Sequence, residues 1–126
     1  MSKPILAGIA PQVVVSDAKK TAEYYQNVLG FKLIGFFPSE VSTAYVMLKR
    51  DGFQIHFGGA EDINPHINDR IRCGTPDFLI WVPEIEAFYE EVTAKGAKIQ
   101  QEIMQRSYGR EFIIEDCDGH WLHVCD

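Results

Sequence analysis

The chain reads as an α+β protein made of two tandem βαβββ modules, and three observations predict this. The phrase Asp51-Gly52-Phe53-Gln54-Ile55-His56-Phe57 returns 67 residues later as Asp118-Gly119-His120-Trp121-Leu122-His123-Val124, so Asp-Gly-x-x-x-His occurs twice. A helical pattern ending at Gly30 is matched by one ending at Gly96, 66 residues on. Each pattern follows a strand-like run, Val13-Val14-Val15 in one case and Phe78-Leu79-Ile80-Trp81-Val82 in the other. Turns, helices and leading strands that share one period mark an internal duplication.

The first module is expected over residues 8–58. Ile9 to Val15 is rich in β-branched residues and reads as a strand. Ser16 or Asp17 then caps a helix, its side-chain oxygen accepting from the open N–H groups of the first turn. Ala18, Thr21, Ala22, Tyr25, Val28 and Leu29 recur at three- and four-residue spacing and make one apolar stripe, with Gly30 as the left-handed stop. Phe31 to Phe37 is a second strand, ended by Pro38-Ser39. Thr43 to Arg50 and Phe53 to Phe57 form a hairpin closed by Asp51-Gly52, residues that tolerate positive φ. A two-residue turn sets Arg50 against Phe53, Leu48 against Ile55 and Val46 against Phe57. Tyr45, Met47, Gln54 and His56 then share the other side of the ribbon.

Residues 59–74, with Asp62, Asn64, Pro65, Asn68 and Asp69, are turn-rich and polar and read as a linker; His66 within it reads as a solvated surface residue. The second module, over 75–126, repeats the plan. Asp77 to Val82 is a strand, and Pro83, Glu84 and Glu86 suit the start of a helix. Ile85, Phe88, Tyr89 and Val92 form its apolar stripe. Ala97 to Ile103, Arg110 to Glu115 and His120 to Cys125 follow as strands. Period two puts Trp121, His123 and Cys125 on one face, with Leu122 and Val124 on the other. Phe53, Phe57 and Phe88 are expected in the helix-side core, and His120 is expected to point the same way.

A chain of 126 residues is one domain by length and long enough to bury a core without staples. Hydrophobic content of 46% and charged content of 24% exclude disorder. Net charge −6, pI about 5.1 and the lack of any Lys/Arg run argue against nucleic acid or an anionic membrane as a partner. The opening Met1 to Ala10 is too short and too broken by Gly and Pro for a signal peptide or a membrane span. Cys73, Cys117 and Cys125 are odd in number and lack zinc-finger spacing, which fits free thiols and a cytoplasmic setting.

Val15-Ser16-Asp17, the helix with Tyr24-Tyr25 ending Val28-Leu29-Gly30-Phe31, Tyr108-Gly109-Arg110-Glu111-Phe112 and Asp116-Cys117-Asp118-Gly119 together resemble the vicinal oxygen chelate superfamily. That superfamily includes glyoxalase I, bleomycin-resistance proteins, fosfomycin-resistance enzymes and extradiol dioxygenases. The resemblance runs over essentially the whole chain. It implies paired βαβββ modules whose mixed sheets curl into a cup, commonly completed by a second chain in a homodimer. It also implies metal ligands from the first and last strands of each module, which here map to Ala10, His56, Asp77 and His123. Ala10 has no donor, while Gln12 lies two residues on, on the same strand face. Cys117 stands where the family often has Pro in Asp-Pro-Asp-Gly.

Two functions follow from the resemblance. In the first, His56, Asp77 and His123 hold a divalent Zn, Ni, Fe or Mn ion, which would polarise a small oxygenated metabolite in a glyoxalase-like lyase, isomerase or dioxygenase step. Its general base has no candidate at the matched positions. In the second, no metal is needed, and the cup of a homodimer binds a small aromatic or drug-like ligand in the manner of bleomycin-resistance proteins. Gln12, Tyr45, Met47, Gln54, Trp81, Phe112 and Trp121 are expected to line the cup in either case, with Arg110 as a bidentate partner for an anionic group. No phosphate loop, dinucleotide fingerprint or Ser-His-Asp order is present.

Overall fold

The structure is a computed structural model that describes residues 3–126. Each half is a four-stranded mixed sheet with one long helix. The first contains β1 (Gln12–Val15), α1 (Ala18–Asn27), β2 (Lys32–Phe37), β3 (Tyr45–Arg50) and β4 (Phe53–Gly59), in the sheet order β1-β4-β3-β2. A one-turn helix, α2 (Asn68–Ile71), interrupts the linker. The second contains β5 (Phe78–Trp81), α3 (Ile85–Ala94), β6 (Lys98–Arg106), β7 (Gly109–Glu115) and β8 (Trp121–Cys125), in the order β5-β8-β7-β6. β1 pairs with β4, and β5 with β8, in parallel, while the other neighbours are antiparallel. The two sheets therefore repeat one topology, as the duplicated sequence predicts. No helix among the described residues is long and apolar enough to cross a membrane.

Local chemistry sets the elements. The Asp17 carboxylate accepts from the N–H groups of Lys19 at 3.0 Å and Lys20 at 3.2 Å, satisfying two open donors at the start of α1. Asp51 and Gly52 have φ of 51° and 85°, the twin positive values that a tight two-residue hairpin needs. The resulting register is the expected one, with Arg50 opposite Phe53, Leu48 opposite Ile55 and Val46 opposite Phe57. Val46, Leu48 and Phe57 are fully buried, but Phe53, beside the Asp51-Gly52 turn, is 78% exposed rather than in the core.

The helix-side faces of both sheets enter one hydrophobic cluster, with Val15, Leu48 and Phe57 from the first and Phe112, Ile114 and Val124 from the second. Among the described residues no strand of one sheet pairs with a strand of the other. Instead, each long helix touches the other module's hairpin. From α1, the Tyr25 hydroxyl donates to Asp116 Oδ2 at 2.7 Å and the Thr21 hydroxyl donates to Asp118 Oδ2 at 2.7 Å. From the β3–β4 turn, Arg50 donates to Glu91 of α3 at 2.7 and 3.2 Å and covers the Phe88 ring at 5.1 Å.

Asp116 is the most heavily used side chain of this junction. Besides Tyr25, it accepts from the backbone N–H groups of Asp118 and His120, each at 2.9 Å. Burial and the neighbouring Asp116 carboxylate push the Tyr25 phenol well above its ordinary pKa, so it stays a donor. His120 is 1% exposed; its Nε2 faces the His66 carbonyl at 3.0 Å and its Nδ1 faces Asp116 Oδ2 at 3.4 Å. The carbonyl requires a proton on Nε2, and the carboxylate favours a second on Nδ1. Burial lowers the His120 pKa, but the contact with Asp116 and the charges of Asp116, Asp77 and Asp118 outweigh it and raise it.

Two predictions follow from this junction. Tyr25→Phe leaves a buried carboxylate oxygen short of a donor and is expected to cost about 1–3 kcal/mol in chemical denaturation. Because His120 binds its proton more tightly folded than unfolded, its stabilisation is complete below the unfolded pKa and is lost as pH rises through the raised folded value. The unfolding free energy of the wild type relative to His120→Gln should accordingly shrink as pH rises above the ordinary histidine value of about 6.5. A difference that does not vary with pH would contradict a charged His120.

Candidate functional site

With one face of each sheet committed to the shared core, period two turns the alternate residues away from it. On the first sheet these include Gln12, Tyr45, Met47, Lys49, Gln54 and His56. Register partners share a face, and Gln12 lies beside His56, Met47 beside His56, and Tyr45 beside Gly58. Four of these side chains form one hydrogen-bonded ladder. Gln12 Nε2 donates to the Tyr45 hydroxyl at 2.8 Å, that hydroxyl lies 2.6 Å from His56 Nδ1, and His56 Nε2 lies 2.8 Å from Gln54 Oε1. Nε2–H donates to the Gln54 carbonyl, and Nδ1 shares a hydrogen bond with the Tyr45 hydroxyl. The sequence-predicted polar residues of the first half-site are thus brought together.

On the second sheet the face turned away from the core holds Leu79, Trp81, Trp121, His123 and Cys125, together with Glu111 and Ile113 of β7. Glu111 is 4% exposed yet anionic. It accepts from His123 Nε2 at 3.0 Å, from Gln101 Nε2 at 2.9 Å and from the Tyr108 hydroxyl, and Arg106 Nε lies 3.4 Å away. Burial pushes its pKa up, but the hydrogen bonds from Tyr108, Gln101 and His123 outweigh this and bring it down to about 2. An acceptor-only carboxylate fixes the proton of His123 on Nε2 and leaves Nδ1 as an acceptor with no partner among the described residues. Around this polar centre, Trp81 is 72% exposed and Leu79 44% exposed.

The other expected site residues lie elsewhere. Phe112 is opposite Val124 in β8, so it belongs to the helix-side core, fully buried against Phe88 and Tyr89. Arg110 shares that parity and pairs with Glu86 of α3 at 2.7 Å and with Asp126 at 2.9 Å, so its fork is occupied. The Trp121 indole N–H donates to Glu115 Oε1 at 3.2 Å. Asp77 Oδ1 accepts from the Asn68 N–H and Oδ2 from the Trp121 N–H, each at 2.9 Å, which ties the linker to the start of β8. Glu111 is the functional-face residue that the sequence reading missed. Counting the second hairpin back from Trp121 opposite Glu115 sets His123 opposite Ile113 and Cys125 opposite Glu111, and would have found it.

As arranged, these residues do not fit a divalent cation. Both oxygens of Asp77 are held by backbone amides, and both ring nitrogens of His56 are held by side chains. Only Nδ1 of His123 is available. Among the described residues, the donor atoms that cluster within 4.8 Å of one another are those of Asp116, Asp118 and His120. That group belongs to the module junction, where Tyr25, Thr21 and backbone amides already occupy the carboxylates.

Two βαβββ modules, with a polar ladder on one open face and a carboxylate-anchored histidine on the other, define the class of a paired-module α+β protein. The chain belongs to the Glyoxalase/Bleomycin resistance protein/Dioxygenase superfamily, whose family model matches residues 7–124. Its fold is similar to that of UcmS2, at 19% identity and TM-score 0.77 over 98% of this chain and 99% of that one. It is also similar to TnmS3, an antibiotic binding protein from Streptomyces sp. CB03234, at 16% identity and TM-score 0.73 over 98% of each chain. The bleomycin-binding protein from bleomycin-producing Streptomyces verticillus, complexed with copper(II)-bleomycin, is 19% identical at TM-score 0.70, over 99% of this chain and 98% of that one. No curated protein sequence is significantly similar to the chain.

The Glu111–His123 pair yields a direct prediction. Long-range ¹H–¹⁵N spectra at neutral pH should show His123 protonated on Nε2, and Glu111→Ala should produce a mixture of tautomers. A wild-type His123 protonated on Nδ1 alone would contradict the assignment.

Proposed function

We propose that this chain is a small-molecule-binding protein of the bleomycin-resistance type. In this reading, two copies form a homodimer, and the open face of the first sheet from one copy meets the open face of the second sheet from the other around an organic ligand. The carrying observation is that both oxygens of Asp77 and both ring nitrogens of His56 are engaged within the protein while the aromatic face is open, Trp81 being 72% exposed. An exposed indole on the same face as Leu79 and paired with Cys125 is the surface that a ligand or a second copy covers.

The ladder of Gln12, Tyr45, His56 and Gln54 then supplies polar contacts, and Nδ1 of His123 accepts a donor from the ligand. The net charge of −6 steers cationic ligands towards the protein. The names of TnmS3 and of the bleomycin-binding protein, similar folds that bind antibiotics, support the same class of ligand. A glyoxalase-like metal enzyme would require Asp77 to abandon two backbone amides and His56 to abandon Tyr45 or Gln54. Each of those exchanges leaves a polar group short of a partner.

Titration of the intrinsic tryptophan emission with metal-free bleomycin, with and without a chelator, tests this. Saturable quenching that ignores the chelator is expected, with a dimer by sedimentation and a loss of affinity of about tenfold or more in Trp81→Ala. Failure of bleomycin and of a panel of planar aromatic antibiotics to bind would overturn the proposal. So would binding that needs a divalent ion and disappears in His56→Ala/His123→Ala.

A further inference from the structure

We propose a second binding site, independent of the cup reading: the cleft at the β3–β4 turn, where the two modules meet, binds a small ligand bearing a multiply charged phosphate group. The cleft has a volume of about 550 Å³ and is lined by Lys32, Lys49, Arg50 and Lys95 together with Asp51 and Glu91. Four cations against two carboxylates leave 4 − 2 = +2 in a chain whose net charge is −6.

The carboxylates do not serve the lysines. Glu91 is held by Arg50 at 2.7 and 3.2 Å, and Asp51 lies 3.5 Å from the same guanidinium. Among the described residues Lys32, Lys49 and Lys95 enter no ion pair. Lys95 follows the C-terminal end of α3, where the helix dipole alone favours a cation. Lys32 and Lys49 have no such local reason. They are direct register partners on β2 and β3, and like charges placed opposite each other across two strands repel. Both are exposed and bury nothing, so the fold gains nothing from the pair.

An anion between the two ammonium groups converts that repulsion into attraction. Phosphate suits the cleft better than carboxylate. The planar fork of Arg50 that would grip a carboxylate bidentately is taken by Glu91, and what remains are rotatable ammonium point charges, which match the tetrahedral oxygens of phosphate. The turn leaves room for such a group, since a Cβ built on Gly52 meets no atom within 4 Å.

Isothermal titration calorimetry of the full chain with inorganic pyrophosphate at low ionic strength tests the site, with citrate as the carboxylate counterpart and Lys32→Gln/Lys49→Gln as the variant. One saturable site per chain is expected, weaker for citrate, and weakened about tenfold or more in the variant. Without pyrophosphate the variant should unfold at the same temperature as the wild type or higher, because a repulsion has been removed. The proposal is overturned by non-saturable binding, by equal binding in the variant or by tighter binding of citrate. A variant that is less stable than the wild type would assign the lysine pair a structural role and overturn it as well.

Discussion

The organisation of this protein depends on one act of burial: both sheets present their helix-side faces to a single core, and each long helix closes on the other module's hairpin. The Tyr25–Asp116 hydrogen bond is the polar centre of that arrangement. A buried carboxylate is tolerated only when its oxygens are satisfied, and here a phenol and two backbone amides satisfy them, with His120 Nδ1 3.4 Å away. The repeated Asp-Gly turns are therefore more than hairpin closures. One carries Asp118 to Thr21 of α1, and the other carries Arg50 to Glu91 of α3.

This burial decides what is left for function. The faces that could bind something are those turned away from the core, and no polar contact among the described residues joins the face of His56 to that of His123. The two are also chemically unlike. The first is a self-satisfied ladder of amide, phenol and imidazole, and the second sets a fully ionised, low-pKa carboxylate behind a histidine among exposed apolar side chains. Unlike faces complement each other across two copies, which is the basis of the dimeric reading. The lysine cleft at the module junction carries charge of the opposite sign to the chain as a whole.

Much of this was legible in the sequence, because duplication and hairpin chemistry are local. Two positive-φ residues at Asp51-Gly52 set the register of the first hairpin, and from it the grouping of Tyr45, Met47, Gln54 and His56 follows. The second hairpin has the longer Asp116–His120 connection, and without its register Phe112 and Arg110 read as cup residues while Glu111 passed unseen. Asp77 illustrates a different limit. Its position matches a ligand position in the resemblance, but its partners are the amide of Trp121 at the start of β8 and that of Asn68, from a linker whose path is set by tertiary packing around Ile67 and His120. Phe53 is the same kind of case, since its exposure depends on where the core ends rather than on its own apolar character.

The claim at the centre of this account is that a binding cup is assembled from the first sheet of one copy and the second sheet of another. Complementation measures it most directly. A Tyr45→Ala chain and a Trp81→Ala chain, each impaired in binding the aromatic ligand as a homodimer, are refolded together and the mixed dimer is purified by two different tags. Cross-copy assembly predicts one intact cup per mixed dimer, and so recovery of wild-type affinity at half the stoichiometry. A mixed dimer that binds no better than either parent would place both faces of each cup in one chain and contradict the account.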